Sequence, residues 1–483
     1  MQFLVIQRIL GLLLIIFSST LLPPMLVELI YQNGEIKPFL HAFNAIVLTG
    51  FMLYLPVKNK KNELRLRDGF LVVVLLWFVL GLAGGLPLYL SGINDISLTD
   101  AMFESISGLT TTGATVIVGL DNLPNSILFY RMELQWLGGM GIIVLAVAVL
   151  PMLGVGGMQL YRAETPGPVK DTKLTPRITE TAKALWYIYL GLTVSCALAY
   201  WVAGMTLFDA ISHAFTTVAI GGFSTHDASI GFFNSSTIEL IAIVFMLAAG
   251  ANFALHFVAL RNRTFKPYLK DSEFKTYILI LSVVSVITVS YLLLNHTFGS
   301  PYESVIEGLF HVISIGTTTG FTTAEYYSWP GFLPVLLIYV SFVGGCAGST
   351  GGGMKVIRVL LLLKQGSREL KRLIHPSAQF VVKIGKKPLP DSVIEAVWGF
   401  FAAYFAISAL MILLLLAAGL DQVTAFSAVA ACLNNLGPGL GDVSQNYSAL
   451  NDFSKWLLCL AMLLGRLEVF TLLVLFTPGF WRK

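Results

Sequence analysis

Charge is scarce in this chain. Only 12% of its 483 residues are Asp, Glu, Lys or Arg, against about 25% in an average soluble domain. With 56% hydrophobic residues and a mean hydropathy of +0.77, too little polar surface remains to clothe a soluble globule. That excludes a soluble enzyme, a disordered scaffold and a nucleic-acid-binding protein. Cysteine is nearly absent. Cys196, Cys346, Cys432 and Cys459 stand alone in apolar surroundings without CxxC spacing, which excludes a disulfide framework and a thiolate zinc site and leaves small hydrophobic fillers. The net charge of +4 is too small to argue for a polyanion partner. Glycine-rich strings occur only in apolar segments, outside the strand–loop–helix setting that a dinucleotide fingerprint requires.

Long apolar runs are abundant instead. A spanning helix needs about 20 mostly apolar residues, and ten stretches qualify: 9–31, 38–57, 69–91, 126–153, 184–204, 236–260, 276–295, 331–363, 393–418 and 456–478. The first lacks a small-residue cleavage site and reads as a retained span rather than a signal peptide. Apart from Lys37, Arg131, Lys455 and Arg466, every lysine and arginine falls in the segments that share a side with the N-terminus. The positive-inside bias therefore predicts ten spans with both termini cytoplasmic.

The outer connections after spans three, five, seven and nine are too apolar for ordinary loops and too short or polar for spans. Re-entrant backbone explains them, since it is tolerated at membrane depth where it lines a cavity. They also repeat. FESISGLTTTGAT, SHAFTTVAIGGFS, FHVISIGTTTGFT and SAVAACLNNLGPG align on Gly113, Gly222, Gly320 and Gly437. The unit of helix, re-entrant segment and helix recurs once per roughly 100 residues, a period that marks internal duplication. For one copy, TTTG reads equally well as a loop turn. Four copies in register on one side of the membrane predict a pore, in which short helices aim their negative ends inward and returning strands present a ring of carbonyls to a cation. The predicted ring residues are Thr110, Thr111, Thr112 and Gly113; Ala219, Ile220, Gly221 and Gly222; Thr317, Thr318, Thr319 and Gly320; and Asn434, Asn435, Leu436 and Gly437.

Span eight is interrupted by GGCAGSTGGG, containing Gly344, Gly345, Gly348, Ser349, Thr350, Gly351, Gly352 and Gly353. Each glycine costs a helix about 1 kcal/mol relative to alanine. The segment reads either as close helix packing through small residues or as a movable flap in the pathway. Arg466, near the middle of span ten, faces protein or water. It reads either as half of a buried ion pair or as a cationic constriction. Arg131, beside Glu133, reads as a structural anchor. Lys355 and Arg358 with 364–387 form a basic cytoplasmic face, explained by the positive-inside bias or by docking of a cytosolic partner.

These motifs together resemble the Trk/Ktr/HKT superfamily of cation transporters. The two additional N-terminal spans, GGCAGSTGGGMKVIR at 344–358 and GRLEVF at 465–470 are similar to its bacterial TrkH-type branch, over essentially the whole chain. The resemblance implies an all-α integral membrane fold: two N-terminal helices, then four pseudo-fourfold helix–re-entrant pore loop–helix repeats around a central pore. The units expected are 1–60 for the N-terminal pair and 61–165, 166–268, 269–375 and 376–483 for the repeats. It further implies potassium uptake across the bacterial inner membrane with potassium held at the ring and no organic cofactor. A glycine rather than serine at 113 points to potassium over sodium. It also implies a gate formed by the 344–353 loop with Lys355 and Arg466, a separate TrkA-type nucleotide-binding regulatory ring, and a homodimer in membrane lipid.

Two rivals stand beside this reading. A potassium symporter coupled to protons or sodium would bind ions at broken helices, but its usual inverted units are not seen, since all four re-entrant segments enter from one side. An intramembrane serine hydrolase built on Ser349 lacks a histidine at similar depth, because His213, His256 and His311 lie elsewhere. The protein is therefore expected not to be an enzyme.

Overall fold

The computed structural model describes residues 1–60, 65–141, 178–385 and 387–482. Helices dominate; among the described residues the strands are Lys383–Ile384 and Lys387–Pro388, paired antiparallel with Lys383 opposite Pro388. Only helices and closed barrels satisfy every backbone group inside a bilayer. Among the described residues six helices are long and apolar enough to cross one: Phe3–Tyr31, Ile36–Val57, Arg67–Ser91, Lys183–Val202, Ser272–Leu294 and Asp391–Ala417. Pro23 and Pro24 do not end the first, because a short 3-10 turn at Ser19–Leu21 places them at the start of a fresh segment, Leu22–Tyr31, where a missing N–H costs nothing. Leu29, Ile30, Met52, Val202, Leu294 and Leu410 are all exposed, the lipid-facing belt of a multi-pass membrane protein. The two N-terminal helices cross at Gly11 and Gly50, where a Cβ on either residue would strike the other helix's backbone.

The four repeats follow one plan. Each opens with a long helix: Leu66–Ser91, Ile178–Val202, Ser272–Leu294 and Asp391–Ala417. Each then enters a half-length helix: Leu98–Leu109, Leu207–Ala219, Pro301–Gly316 and Gln422–Leu433. At about 1.5 Å per residue these 12, 13, 16 and 12 residues reach only part of the way across. Their starts share a cap. Ser97, Thr206 and Ser300 accept from the backbone N–H three residues on, at Asp100, Asp209 and Glu303, and Asp421 accepts from Val423 and Thr424. A side-chain acceptor at this position satisfies an otherwise unpaired N–H, and an acid in the first turn suits the positive helix end.

The second helix is broken in repeats two, three and four and changes its winding in repeat one. In the first, Asn125–Trp136 passes into a π-helical turn, Leu137–Gly141. In the second, Ser236–Ala249 and Phe253–Asn262 meet at 95°. In the third, Leu333–Val343 stops before the glycine-rich loop and Val356–Ile374 resumes after it. In the fourth, Asp452–Arg466 and Phe470–Phe476 meet at 108°. Sequence patterning marked only the third break, so the expected continuous spans 236–260 and 456–478 are each two bent pieces. Of the expected fourth span, 126–153, residues 142–153 lie outside the described residues, as does most of the basic segment 154–183.

Candidate functional site

The four aligned glycines form a closed cycle. Gly113, Gly222, Gly320 and Gly437 have φ of +80°, +81°, +83° and +99°, a region that favours glycine. A Cβ on Gly113 would collide with the carbonyl oxygen of Gly221, on Gly222 with that of Thr319, on Gly320 with that of Leu436, and on Gly437 with that of Thr112. Each glycine is therefore backed by the carbonyl just before the glycine of the next repeat. The order runs one, two, three, four and back to one.

Backbone hydrogen bonding decides where those carbonyls are free to turn. Two residues before each glycine, Thr111, Ile220, Thr318 and Asn435 adopt left-handed φ of 55°, 54°, 71° and 55°, rare for any residue with a Cβ and more so for a β-branched one. Their N–H groups return to Gly108, Thr217, Ile315 and Cys432 at 3.0, 3.2, 3.0 and 3.2 Å. The next N–H groups, of Thr112, Gly221, Thr319 and Leu436, return to Ser107, Thr216, Ser314 and Ala431 at 2.9, 2.8, 2.7 and 2.8 Å. This is the Schellman helix ending, made four times without glycine at the left-handed position. Amides spent on the helix ends leave the strand carbonyls to other partners, and that of Gly221 accepts from Gln135 Nε2 at 2.6 Å. The β-branched residues held in this geometry store about 1–3 kcal/mol each.

The threonine hydroxyls serve the strand itself. Thr110 pairs with Thr112, and Thr317 with Thr319, each at 2.8 Å, while Thr110 and Thr317 also donate to Ile106 and Ile313 carbonyls at 2.7 Å. In the fourth repeat Asn434 bonds Ser341 and Tyr404, and Asn435 reaches Thr112 and the Met462 carbonyl, both at 3.0 Å.

The glycine-rich loop lies against the ends of the half-length helices, on the side where they stop. Thr350 donates to the Val218 carbonyl at 3.0 Å, the Gly352 N–H donates to the Thr318 hydroxyl at 2.7 Å, and the Gly353 N–H to the Asn434 carbonyl at 2.9 Å. Repeats two, three and four are thus contacted directly. The glycines are needed for approach: a Cβ on Gly352 would overlap the Asn434 carbonyl, and one on Gly351 would come within 2.9 Å of the Thr317 carbonyl. Gly344, Gly348 and Gly353 take φ of +67°, +75° and +72°. Gly345 and Ser349 touch each other's positions, Ser349 donating to the Cys346 carbonyl at 2.7 Å. Glu273 accepts from Ala347 and Ile357 at 2.7 and 3.2 Å, tying both ends of the loop to the helix that opens repeat three.

Arg466 supplies the link to repeat one. It stands at the end of its helix, at the bend between the two pieces of the expected span ten. Its guanidinium donates to the Thr111 hydroxyl at 3.2 Å, the Thr350 carbonyl at 3.4 Å, the Gly139 carbonyl at 2.7 Å and the Gly138 carbonyl, and lies 5.4 Å from the Trp77 ring centre. Glu468 pairs with Arg358 instead. Arg358 is buried, stacked 4.3 Å over Phe400, and Lys355 turns back to the Gly351 carbonyl. Neither lies on the basic face expected of them, which begins at Lys364.

Behind the ring, Arg131 pairs with Glu104 at 2.7 Å, both essentially inaccessible to solvent. The sequence pointed to Arg131 beside Glu133 and missed Glu104, which lies on another helix. Glu104 also accepts from the Val116 N–H at 2.9 Å, and Arg131 lies 4.4 Å from the centre of the Phe223 ring, so the pair joins strands one and two. His213 and His311 occupy the helix position of Glu104 and bond Ser224 at 2.9 Å and the Ala324 carbonyl at 3.2 Å. In the loop beyond, His226 meets Asp121 at 2.5 Å and lies 3.6 Å from Asp209. Partial burial alone would lower its pKa, but the Asp209 and Asp121 carboxylates outweigh that and raise it above the usual imidazole value.

The comparisons with known proteins agree with this geometry. The family model for TrkH, described as cation transport protein, matches residues 35–483. A Trk system potassium uptake protein TrkH from Vibrio parahaemolyticus is 59% identical, with 100% of both chains covered. The protein of the same description from Escherichia coli K12 is 56% identical over 100% of both, and Trk system potassium uptake protein TrkG of that organism is 42% identical over 99% of both. The crystal structure of the potassium transporter TrkH from Vibrio parahaemolyticus matches with a TM-score of 0.91 at 56% identity, covering 100% of each chain.

Proposed function

The chain belongs to the TrkH family of cation transport proteins, and from that premise we propose that it carries potassium into the cell through the glycine and carbonyl ring. The observation that supports this most is the closed cycle in which each repeat's glycine is backed by the next repeat's carbonyl. Four strands with amides spent on the helix ends, and with carbonyls gathered at one ring, are suited to replacing the hydration shell of a monovalent cation. The 344–353 loop is the gate in this reading. It bonds repeats two to four directly and repeat one through Arg466, so ion passage requires it to undock. The gate set is Gly344, Gly345, Gly348, Ser349, Thr350, Gly351, Gly352, Gly353, Lys355 and Arg466.

The exposed Lys371, Arg372 and Lys383 suit docking of a cytosolic regulatory ring of the TrkA type, which would pull the loop away on binding nucleotide. A homodimer in the bacterial inner membrane, with both termini cytoplasmic and repeat boundaries near 61, 166, 269 and 376, completes the proposal. Rubidium flux into potassium-loaded liposomes carrying the purified chain tests it. Rubidium entry should be suppressed by external potassium and not by equal sodium, and should rise when the regulatory ring and nucleotide are supplied. Equal suppression by sodium would refute the filter assignment.

A further inference from the structure

We propose that Gln135 acts as a missing filter side chain of repeat two, supplied by the neighbouring repeat, and that as a positioning residue it sets cation selectivity. The inference rests on the ring being the ion filter. Just before the ring glycine, three repeats carry a side chain, Thr112, Thr319 and Leu436, and repeat two carries Gly221. Backbone conformation does not demand glycine there, since Gly221 lies outside the left-handed region. Space does. A Cβ on Gly221 would run into Cδ, Oε1 and Nε2 of Gln135.

Gln135 comes from helix Asn125–Trp136 of repeat one and is 0% exposed. Its Nε2 donates to the Gly221 carbonyl at 2.6 Å, and its Oε1 accepts from the Phe223 N–H at 3.1 Å. The side-chain amide therefore pairs with the backbone on both sides of Gly222, as an adjoining strand would. The Gly221 carbonyl is also the one that backs Gly113, so Gln135 holds a member of the ring directly.

Repeat two needs such a support. Thr110–Thr112 and Thr317–Thr319 brace strands one and three through paired hydroxyls. Ala219 and Gly221, at the same two positions, carry no hydroxyl. The amide of Gln135 provides from outside the brace that strand two cannot make for itself. A selectivity ring depends on the number and placement of its oxygens, and loosening one carbonyl admits a smaller, more strongly hydrated ion.

The test is the potassium-over-sodium preference of rubidium flux in liposomes holding the full chain. Gln135→Ala should lower that preference about tenfold, the scale of two lost hydrogen bonds. Gln135→Met, of similar volume, removes both the donor to Gly221 and the acceptor from Phe223 and should lower it as well. The triple variant Gln135→Ala, Ala219→Thr, Gly221→Thr restores a threonine pair in the vacated space and should recover most of the preference, whereas Gly221→Thr alone should not support it. Unchanged preference in Gln135→Met, or a triple variant that inserts and conducts but is as unselective as Gln135→Ala, overturns the inference. Gly113→Ser in the same assay separates the two levels. If it admits sodium while the Gln135 variants remain selective, the filter stands and the role of Gln135 falls; if it also leaves selectivity unchanged, the filter reading itself falls.

Discussion

Arg466 donates to the Thr111 hydroxyl at 3.2 Å and to the Thr350 carbonyl at 3.4 Å, so one guanidinium joins a ring strand of repeat one to the loop broken out of repeat three. That bridge is the counterpart, for repeat one, of the bonds the loop makes to Val218, Thr318 and Asn434.

Arg466→Ala should therefore raise basal flux in the absence of any regulatory partner. Hydrogen bonds to a charged group are worth about 1.5–3 kcal/mol each, so an increase of at least tenfold is expected in rubidium uptake. Arg466→Lys keeps the charge but loses the planar fork and should fall between the two. A rate equal to that of the unaltered chain would show that Arg466 does not restrain permeation.

Gly352→Ala places a methyl where the Asn434 carbonyl stands. The loop then cannot dock, and the bonds of Gly352 to Thr318 and Gly353 to Asn434 are lost together. Electrical recording from bilayers should find the variant conducting without regulatory ring or nucleotide. Thr318→Val, which removes only the acceptor, should show a smaller effect in the same direction.

Gly113→Ser puts a Cβ at φ +80°, against the Gly221 carbonyl. The left-handed conformation alone costs an L-residue about 1–2 kcal/mol, and relief requires that carbonyl to retreat. The ring should widen or reshape at that point, and sodium should compete with rubidium at concentrations where it is inert on the unaltered chain.

Arg131→Ala leaves the Glu104 carboxylate buried without its cation. Breaking a buried pair in this way costs about 3–5 kcal/mol, which should appear as a clear drop in the thermal unfolding midpoint in detergent. Because the penalty is that of an orphaned charge, Arg131→Met combined with Glu104→Leu should recover much of the loss.

What could be read from the chain before its fold was known follows physical lines. The ring glycines were legible because a backbone requirement leaves the same residue at the same place in four copies. The third-repeat break was legible because six glycines in ten residues cannot stay helical. The breaks after Ala249 and after Arg466 were not, since a single glycine nearby costs only about 1 kcal/mol and does not announce a bend. Partners brought together by folding were also hidden. Gln135 and Gly221 are 86 residues apart, and Arg466 and Gly138 are 328; neither pair shares a helix face or a motif. The left-handed Thr111, Ile220 and Thr318 were invisible for a different reason: a β-branched side chain argues against that conformation, and tertiary packing imposes it, whereas Asn435 is of a type that enters it readily.

The cycle of glycines and carbonyls has no first or last member, yet it is written on one polypeptide. A ring assembled from four separate subunits must be made of identical quarters and must find its partners after synthesis. Covalent continuity removes the assembly step and fixes the order of the quarters, and it allows each quarter to differ. Ala219 and Gly221 facing a neighbour's Gln135 is an asymmetry that four copies of one subunit could not hold at a single place in the circle.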